Sequence, residues 1–208
     1  TVLPGLIETH AHLGSPGGIV DYSKMDALKT MRRELGAYLY SGVTTVRSAG
    51  DMLDASLAIR ESVNSGEKLG AEFLTCGPLF TTPGGHGTEY FTQVPGMARQ
   101  QMEGQFERLP KDAAEAKQDV AELKKQRVNC IKGILETGGP ANLYKRMDPA
   151  ILAAVGAAAR ENGLPFLVHT GDAADVADAL RAGATSIEHG SFRERIPDEL
   201  FARMAQTG

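Results

Sequence analysis

Near its start the chain reads Leu3-Pro4-Gly5-Leu6-Ile7-Glu8-Thr9-His10-Ala11-His12, an apolar run that ends in two histidines one residue apart. In an extended strand residues two apart share a face, so Glu8, His10 and His12 point to one side. Neutral imidazole is the commonest metal ligand, and two at the end of one strand form a pincer that needs only donors from elsewhere in the chain. Histidines this close also arise by chance in solvated loops, and a motif this short does not decide between the readings. Three further residues bear on the choice. Lys132 lies inside the apolar run Val128-Asn129-Cys130-Ile131-Lys132-Gly133-Ile134, His169 closes Phe166-Leu167-Val168-His169, and His189 follows Ser186-Ile187-Glu188. Taken singly, either histidine reads as a core or rim residue satisfied by hydrogen bonds, and Lys132 as a stem packed in the core with its ammonium reaching water. Taken together, four of the five histidines stand at the C-terminal ends of apolar runs, which favours a metal site. A lysine buried without a partner tends to lose its proton, so such a site must pair Lys132 or use it as a neutral amine.

Those residues need a fold that gathers strand ends on one face. Short β-branched or apolar runs alternate with helical patterns throughout, the signature of βα units and a parallel sheet. Strands are predicted at roughly 2–9, 43–47, 71–76, 128–134, 164–169 and 184–189. Between them, Leu28, Met31, Leu35 and Leu39 recur at helical spacing before Gly42, and Asp51 to Asn64 repeats the pattern with Leu53 and Leu57. Ala113, Ala116, Val120 and Leu123 stripe one face of a charged segment, Asp148-Pro149 opens another helix, Asp172 and Gly183 bracket the next, and Pro197 begins a sixth. A doubly wound nucleotide-binding sheet would carry a glycine-rich phosphate loop after its first strand. Here that position reads His-Ala-His-Leu-Gly-Ser-Pro-Gly-Gly, with Pro16 breaking it, so a barrel is favoured. In a barrel, catalytic residues lie at the C-terminal strand ends, where the histidines fall.

Composition narrows the function classes. With 208 residues, 42% hydrophobic and a net charge of -4, the chain has material for one sizeable domain, predicted over 1–208, and no basic stripe to track nucleic acid. No apolar stretch reaches the length of a membrane span and no signal-peptide pattern is present, so no membrane partner is expected. Cys76 and Cys130 sit in apolar segments without metal-type spacing and read as buried thiols. The segment from about 77 to 110 is too long for an ordinary connection and reads as a lid or substrate loop; it contains His86, and Tyr90, Phe91 and Tyr144 are further candidates to line a pocket.

These residues resemble the amidohydrolase superfamily of metal-dependent hydrolases, built on a (β/α)8 barrel. Its first-strand motif, Pro-Gly-x-Ile-Asp-x-His-x-His, is matched by Pro4, Gly5, Ile7, His10 and His12, with Glu8 in place of the usual Asp. Thr82-Pro83-Gly84-Gly85-His86-Gly87 and Ser186-Ile187-Glu188-His189-Gly190 resemble the imidazolonepropionase-related branch, which includes Xaa-Pro dipeptidases. The resemblance implies two divalent metal ions, zinc first, with His10 and His12 on one, His169 and His189 on the other, and Lys132, carboxylated by carbon dioxide, bridging them. It implies hydrolysis of an amide or peptide bond by metal-activated hydroxide, on a dipeptide or other small molecule, with His86 and Tyr144 as substrate-binding residues. A homo-oligomer is compatible with it.

Two departures stand out. Glu8 is one methylene longer than Asp, which changes its reach toward a metal or ligand. The family also carries an aspartate at the end of strand 8, whereas this chain is read as holding about the first six βα units, without strands 7 and 8, that aspartate or the small β-sandwich. The expectation is a fragment of a longer protein, and the competing reading is a non-catalytic metal-binding barrel segment lacking the strand-8 acid.

Overall fold

The computed structural model describes residues 2–14 and 26–207; Pro16, which argues against a phosphate loop, lies outside the described residues. Contacts divide the chain into two units, Thr1–Pro78 with Phe91–Phe106, and Leu79–Tyr90 with Glu107–Gly208.

In the first unit, β1 (Leu6–Ala11), β2 (Val43–Ser48) and β3 (Glu72–Thr75) form a parallel sheet in that order. The helices α1 (Ala27–Tyr40) and α2 (Leu53–Asn64) connect them. Asp26 caps α1 by accepting from the Lys29 amide, and Gly42, at φ +87°, takes the left-handed conformation that ends the helix and turns the chain into β2. The core gathers Ala11, Leu13, Met31, Leu35, Val46, Ile59, Val63, Ala71 and Phe73. The predicted stripe on α1 is buried at Met31 and Leu35 but not at Leu28, while α2 buries Leu53, Ser56, Ile59 and Val63 and leaves Leu57 half-buried. Despite the apolar run that the sequence shows there, Leu3, Leu6 and Ile7 are exposed. Among the described residues β1 is an edge of its sheet, paired only with β2, so its apolar run has cover on one side alone.

The long segment after β3 carries structure of its own. It contains β4 (Leu79–Phe80), α3 (Gly96–Phe106), which buries no residue, and β5 (Glu107–Arg108). In the second unit, β6 (Ile131–Ile134), β9 (Phe166–His169) and β10 (Ser186–Glu188) join β4 and β5 in a parallel sheet of order β10-β9-β6-β4-β5. A small antiparallel hairpin, β7 (Gly138–Gly139) with β8 (Asn142–Leu143), follows β6. Four helices complete the unit, α4 (Ala113–Lys125), α5 (Pro149–Glu161), α6 (Ala173–Arg181) and α7 (Asp198–Thr207). Asp112, Asp148 and Asp172 cap the first three of these through backbone amides, and Asp172 forms a reciprocal capping box with Asp175.

Every residue of β6 is buried; Gly133 lets Leu152 of α5 pack against it, and Gly156 lets α5 approach the Ala182 carbonyl and Phe166 of β9. A Cβ on Gly133 would lie 3.0 Å from Leu152 Cδ1, and one on Gly156 would lie 2.0 Å from the Ala182 carbonyl oxygen. Cys76 and Cys130 are buried as expected, but neither is a free thiol, which corrects that reading. Spacing along a sequence does not report which sulfurs a fold brings near others. No helix among the described residues is long and apolar enough to cross a membrane.

Candidate functional site

In the first unit the strand pattern delivers the pincer. Ala11 and Leu13 turn into the core, so His10 and His12 take the opposite side, with His10 half-buried and His12 exposed. Their Nε2 atoms stand 3.3 Å apart. A tetrahedral zinc ion with bonds of about 2.0–2.1 Å would hold two nitrogens about 3.3–3.4 Å apart, so the pair already has the required bite. His12 Nδ1 lies 2.7 Å from the Gly50 carbonyl oxygen; since a carbonyl only accepts, Nδ1 carries the hydrogen and the Nε2 lone pair turns toward His10. The Glu8 carboxylate accepts the His10 amide at 2.8 Å, so its longer side chain folds back on its own strand.

The Gly50 carbonyl has support that the sequence reading did not single out. Asp51, fully buried, accepts the Leu13 amide at 2.9 Å and the Ser48 hydroxyl at 2.5 Å, and the Gly50 amide donates to Ser48 Oγ. Burial pushes the Asp51 carboxyl well above the usual carboxylate range, against the two hydrogen bonds that favour its charged form. The signal was present in the sequence as Ser48 and Asp51 flanking Ala49-Gly50 at the end of β2, but it read only as a helix start.

In the second unit Lys132 is 1% exposed, with Leu79 and Leu167 as its partners on the neighbouring strands. His169 closes β9, and His189 follows β10 at φ +68°, a left-handed conformation rare outside glycine. Their rings pack edge to face, with centroids 4.7 Å apart. His86 comes from the loop after β4 and places its ring 5.1 Å from that of His169 and 4.8 Å from that of Tyr144. The hairpin after β6 delivers Tyr144, whose amide donates to the Thr137 carbonyl. The structure therefore brings His86, Tyr144, His169 and His189 together.

Glu89 and Glu136 were missed. His86 Nδ1 is paired with Glu89 Oε1 at 2.7 Å, and the Gly87 amide donates to the other oxygen. Burial raises the Glu89 carboxyl, but the His86 and backbone hydrogen bonds outweigh it and hold the group below its usual range. His169 Nε2 is paired with Glu136 Oε2 at 2.6 Å. One ligand atom each from His86, Glu136 and His169 falls within 4.8 Å of the others, a spacing compatible with holding a cation. Glu136 stands two residues beyond β6, so a search of strand ends extended into the following loop would have found it. Burial, then the charge of Glu89 and a hydrogen bond to it, push the Tyr144 phenol above its ordinary value, so it stays protonated at neutral pH and donates to Glu89.

With its parallel βα units, histidines at strand ends and carboxylates against two of the rings, the chain is similar to several solved structures. A candidate prolidase from Bifidobacterium longum is 29% identical, with TM-score 0.72 over 96% of this chain and 42% of its own. A Xaa-Pro dipeptidase with methionine bound in its active site is 25% identical, with TM-score 0.77 over 99% of this chain and 52% of its own. Ochratoxinase of A. niger, at 19% identity and TM-score 0.80 over 99% of this chain and 51% of its own, shows the shared fold. The chain spans about half the length of these structures. Among curated protein sequences none matches. The amidohydrolase family model matches residues 1–207, and the chain belongs to that family.

Proposed function

We propose that the protein is a metal-dependent hydrolase that cleaves an amide or peptide bond, with its βα units those of a (β/α)8 barrel. The observation that carries this reading is the His10 and His12 pair, whose 3.3 Å nitrogen separation and carbonyl-fixed ring match what a tetrahedral divalent ion needs. His10 and His12 in the first unit, and His169 and His189 in the second, are the histidine ligands, with zinc the first metal to test. Lys132, carboxylated by carbon dioxide, is the further ligand proposed from the second unit, where it is buried in β6. When bound, such ions lower the pKa of water toward neutrality and polarise the scissile carbonyl.

The chain's own residues supply orientation. Glu89 holds the His86 ring at Nδ1 and sets Nε2 on the side of the Tyr90 hydroxyl, 3.5 Å away, where it can meet a substrate polar atom. Tyr144 commits its one hydroxyl hydrogen to Glu89, so toward a substrate it offers its ring and the hydroxyl oxygen as an acceptor. Small amides and dipeptides are the substrate class, and the Xaa-Pro dipeptidase neighbour makes dipeptides with C-terminal proline the first panel to assay.

Metal analysis after gentle purification, together with hydrolysis of a dipeptide panel, tests the proposal. About two ions per chain are expected. His169→Ala should lower metal content and activity together. A metal content near zero in protein purified without chelators, and not restored by added zinc, would overturn the reading. Lys132→Ala should abolish any stimulation of metal loading by bicarbonate.

A further inference from the structure

We propose that Glu136 is a positioning residue for His169, holding the imidazole in the tautomer with hydrogen on Nε2 so that Nδ1 presents its lone pair as the ligating atom. The inference rests on the reading of His169 as a metal ligand and adds the residue that fixes which of its nitrogens does the work.

Distance decides how the histidine and carboxylate pair is used. A tetrahedral ion bound by both His169 Nε2 and Glu136 Oε2, at bonds of about 2.0–2.2 Å, would hold those atoms more than about 3 Å apart. They are 2.6 Å apart, which is a charge-assisted hydrogen bond from the ring to the carboxylate. The pair is sheltered, with the two side chains 14% and 12% exposed, so water competes weakly for either partner. Nε2 is thereby committed, and Nδ1 remains as the ring's ligating atom.

Glu136 is itself held in place. Its second oxygen, Oε1, faces the Arg193 guanidinium at 3.8 Å. Arg193 is anchored in turn, donating to Thr137 Oγ1 at 2.6 Å and to Asp172 Oδ2 at 3.4 Å. The segments that follow β6, β9 and β10 therefore converge on one carboxylate. Gly171 makes room for this arrangement, because a Cβ there would lie 3.1 Å from Glu136 Cγ and 3.2 Å from Arg193 Nη2. A carboxylate on the far nitrogen of a ligating histidine fixes ring orientation and raises its basicity, and losing such a partner typically lowers metal affinity by about 10–100-fold.

Two measurements on the purified protein test this without relying on activity. Long-range proton–nitrogen NMR on histidine-labelled protein, with His169 assigned by its loss in His169→Ala, should show hydrogen on Nε2 and a shift at Nδ1 when zinc is added. Zinc affinity, measured by competition with a chromophoric chelator, should fall about 10–100-fold in Glu136→Ala. Glu136→Gln keeps an acceptor oxygen at the same reach, so it should retain the tautomer and lose less affinity. If His169→Ala binds zinc as the unaltered protein does, His169 is not a ligand and the parent reading falls with the proposal. If His169→Ala loses an ion while the unaltered protein carries its hydrogen on Nδ1, or while both Glu136 variants keep full affinity, the positioning role alone is overturned. The tautomer in the unaltered protein decides the matter even where a variant fails to fold.

Discussion

Replacing Asp51 with Asn isolates the electrostatic load beneath the His12 anchor. Asp51 Oδ2 accepts both the Leu13 amide and the Ser48 hydroxyl, and an asparagine carbonyl oxygen can accept the same two. The substitution therefore removes a titration while keeping the acceptor. Burial raises the folded-state pKa of Asp51, so between the unfolded value of about 3.9 and that raised value the folded chain keeps a proton that the unfolded chain has lost. The sign follows: the aspartate's contribution is fully present below about pH 3.9 and is lost as pH rises through the folded pKa. One proton sets the slope, so across that window the unaltered protein should lose about 1.4 kcal/mol per pH unit relative to Asp51→Asn, with no further change above it. Urea unfolding of both proteins from pH 3.5 to 8, about half a unit apart, measures the difference, and their shared titrations cancel. A stability difference that is flat with pH, or that runs in favour of the aspartate as pH rises, would refute the assignment of a burial-raised carboxyl. Asp51→Ala is the companion variant. It strips the acceptor from the Leu13 amide and Ser48, at a cost of about 1–3 kcal/mol, and should weaken zinc binding by loosening the loop that holds His12.

Other outcomes follow from the geometry. His10→Ala and His12→Ala should each remove about one zinc ion per chain, and unchanged stoichiometry in both would eliminate the pincer as a metal site. Glu89→Gln weakens the anchor on His86 Nδ1, a charge-assisted bond worth about 1.5–3 kcal/mol, so kcat/KM should fall about 10–100-fold with metal content unchanged; a loss of metal instead would place Glu89 in the ligand shell. Gly156→Ala puts a methyl 2.0 Å from the Ala182 carbonyl oxygen, and the shift needed should cost about 1–3 kcal/mol and lower Tm by about 2–12 °C, whereas an unaltered Tm would mean that α5 can move away freely.

How far the site can be read from the chain depends on which interactions are local. His10 and His12 are legible because period-two alternation in one strand settles both faces at once, and the core residues Ala11 and Leu13 mark the other side. His169 and His189 are legible because apolar runs stop where they begin, and parallel pairing of β9 with β10 then puts Glu188 opposite His169. The exposure of Leu6 and Ile7 was not legible, since cover for a strand depends on what pairs with it and not on its own pattern. Glu136 was only partly legible: it stands two residues past the end of β6, but its partner is 33 positions away. Hydrophobic pattern thus places the ring nitrogens, while the carboxylates that choose among those nitrogens come from loops. The sequence announces the histidines, and Asp51 in the first unit and Glu89 and Glu136 in the second set what the rings they support can do.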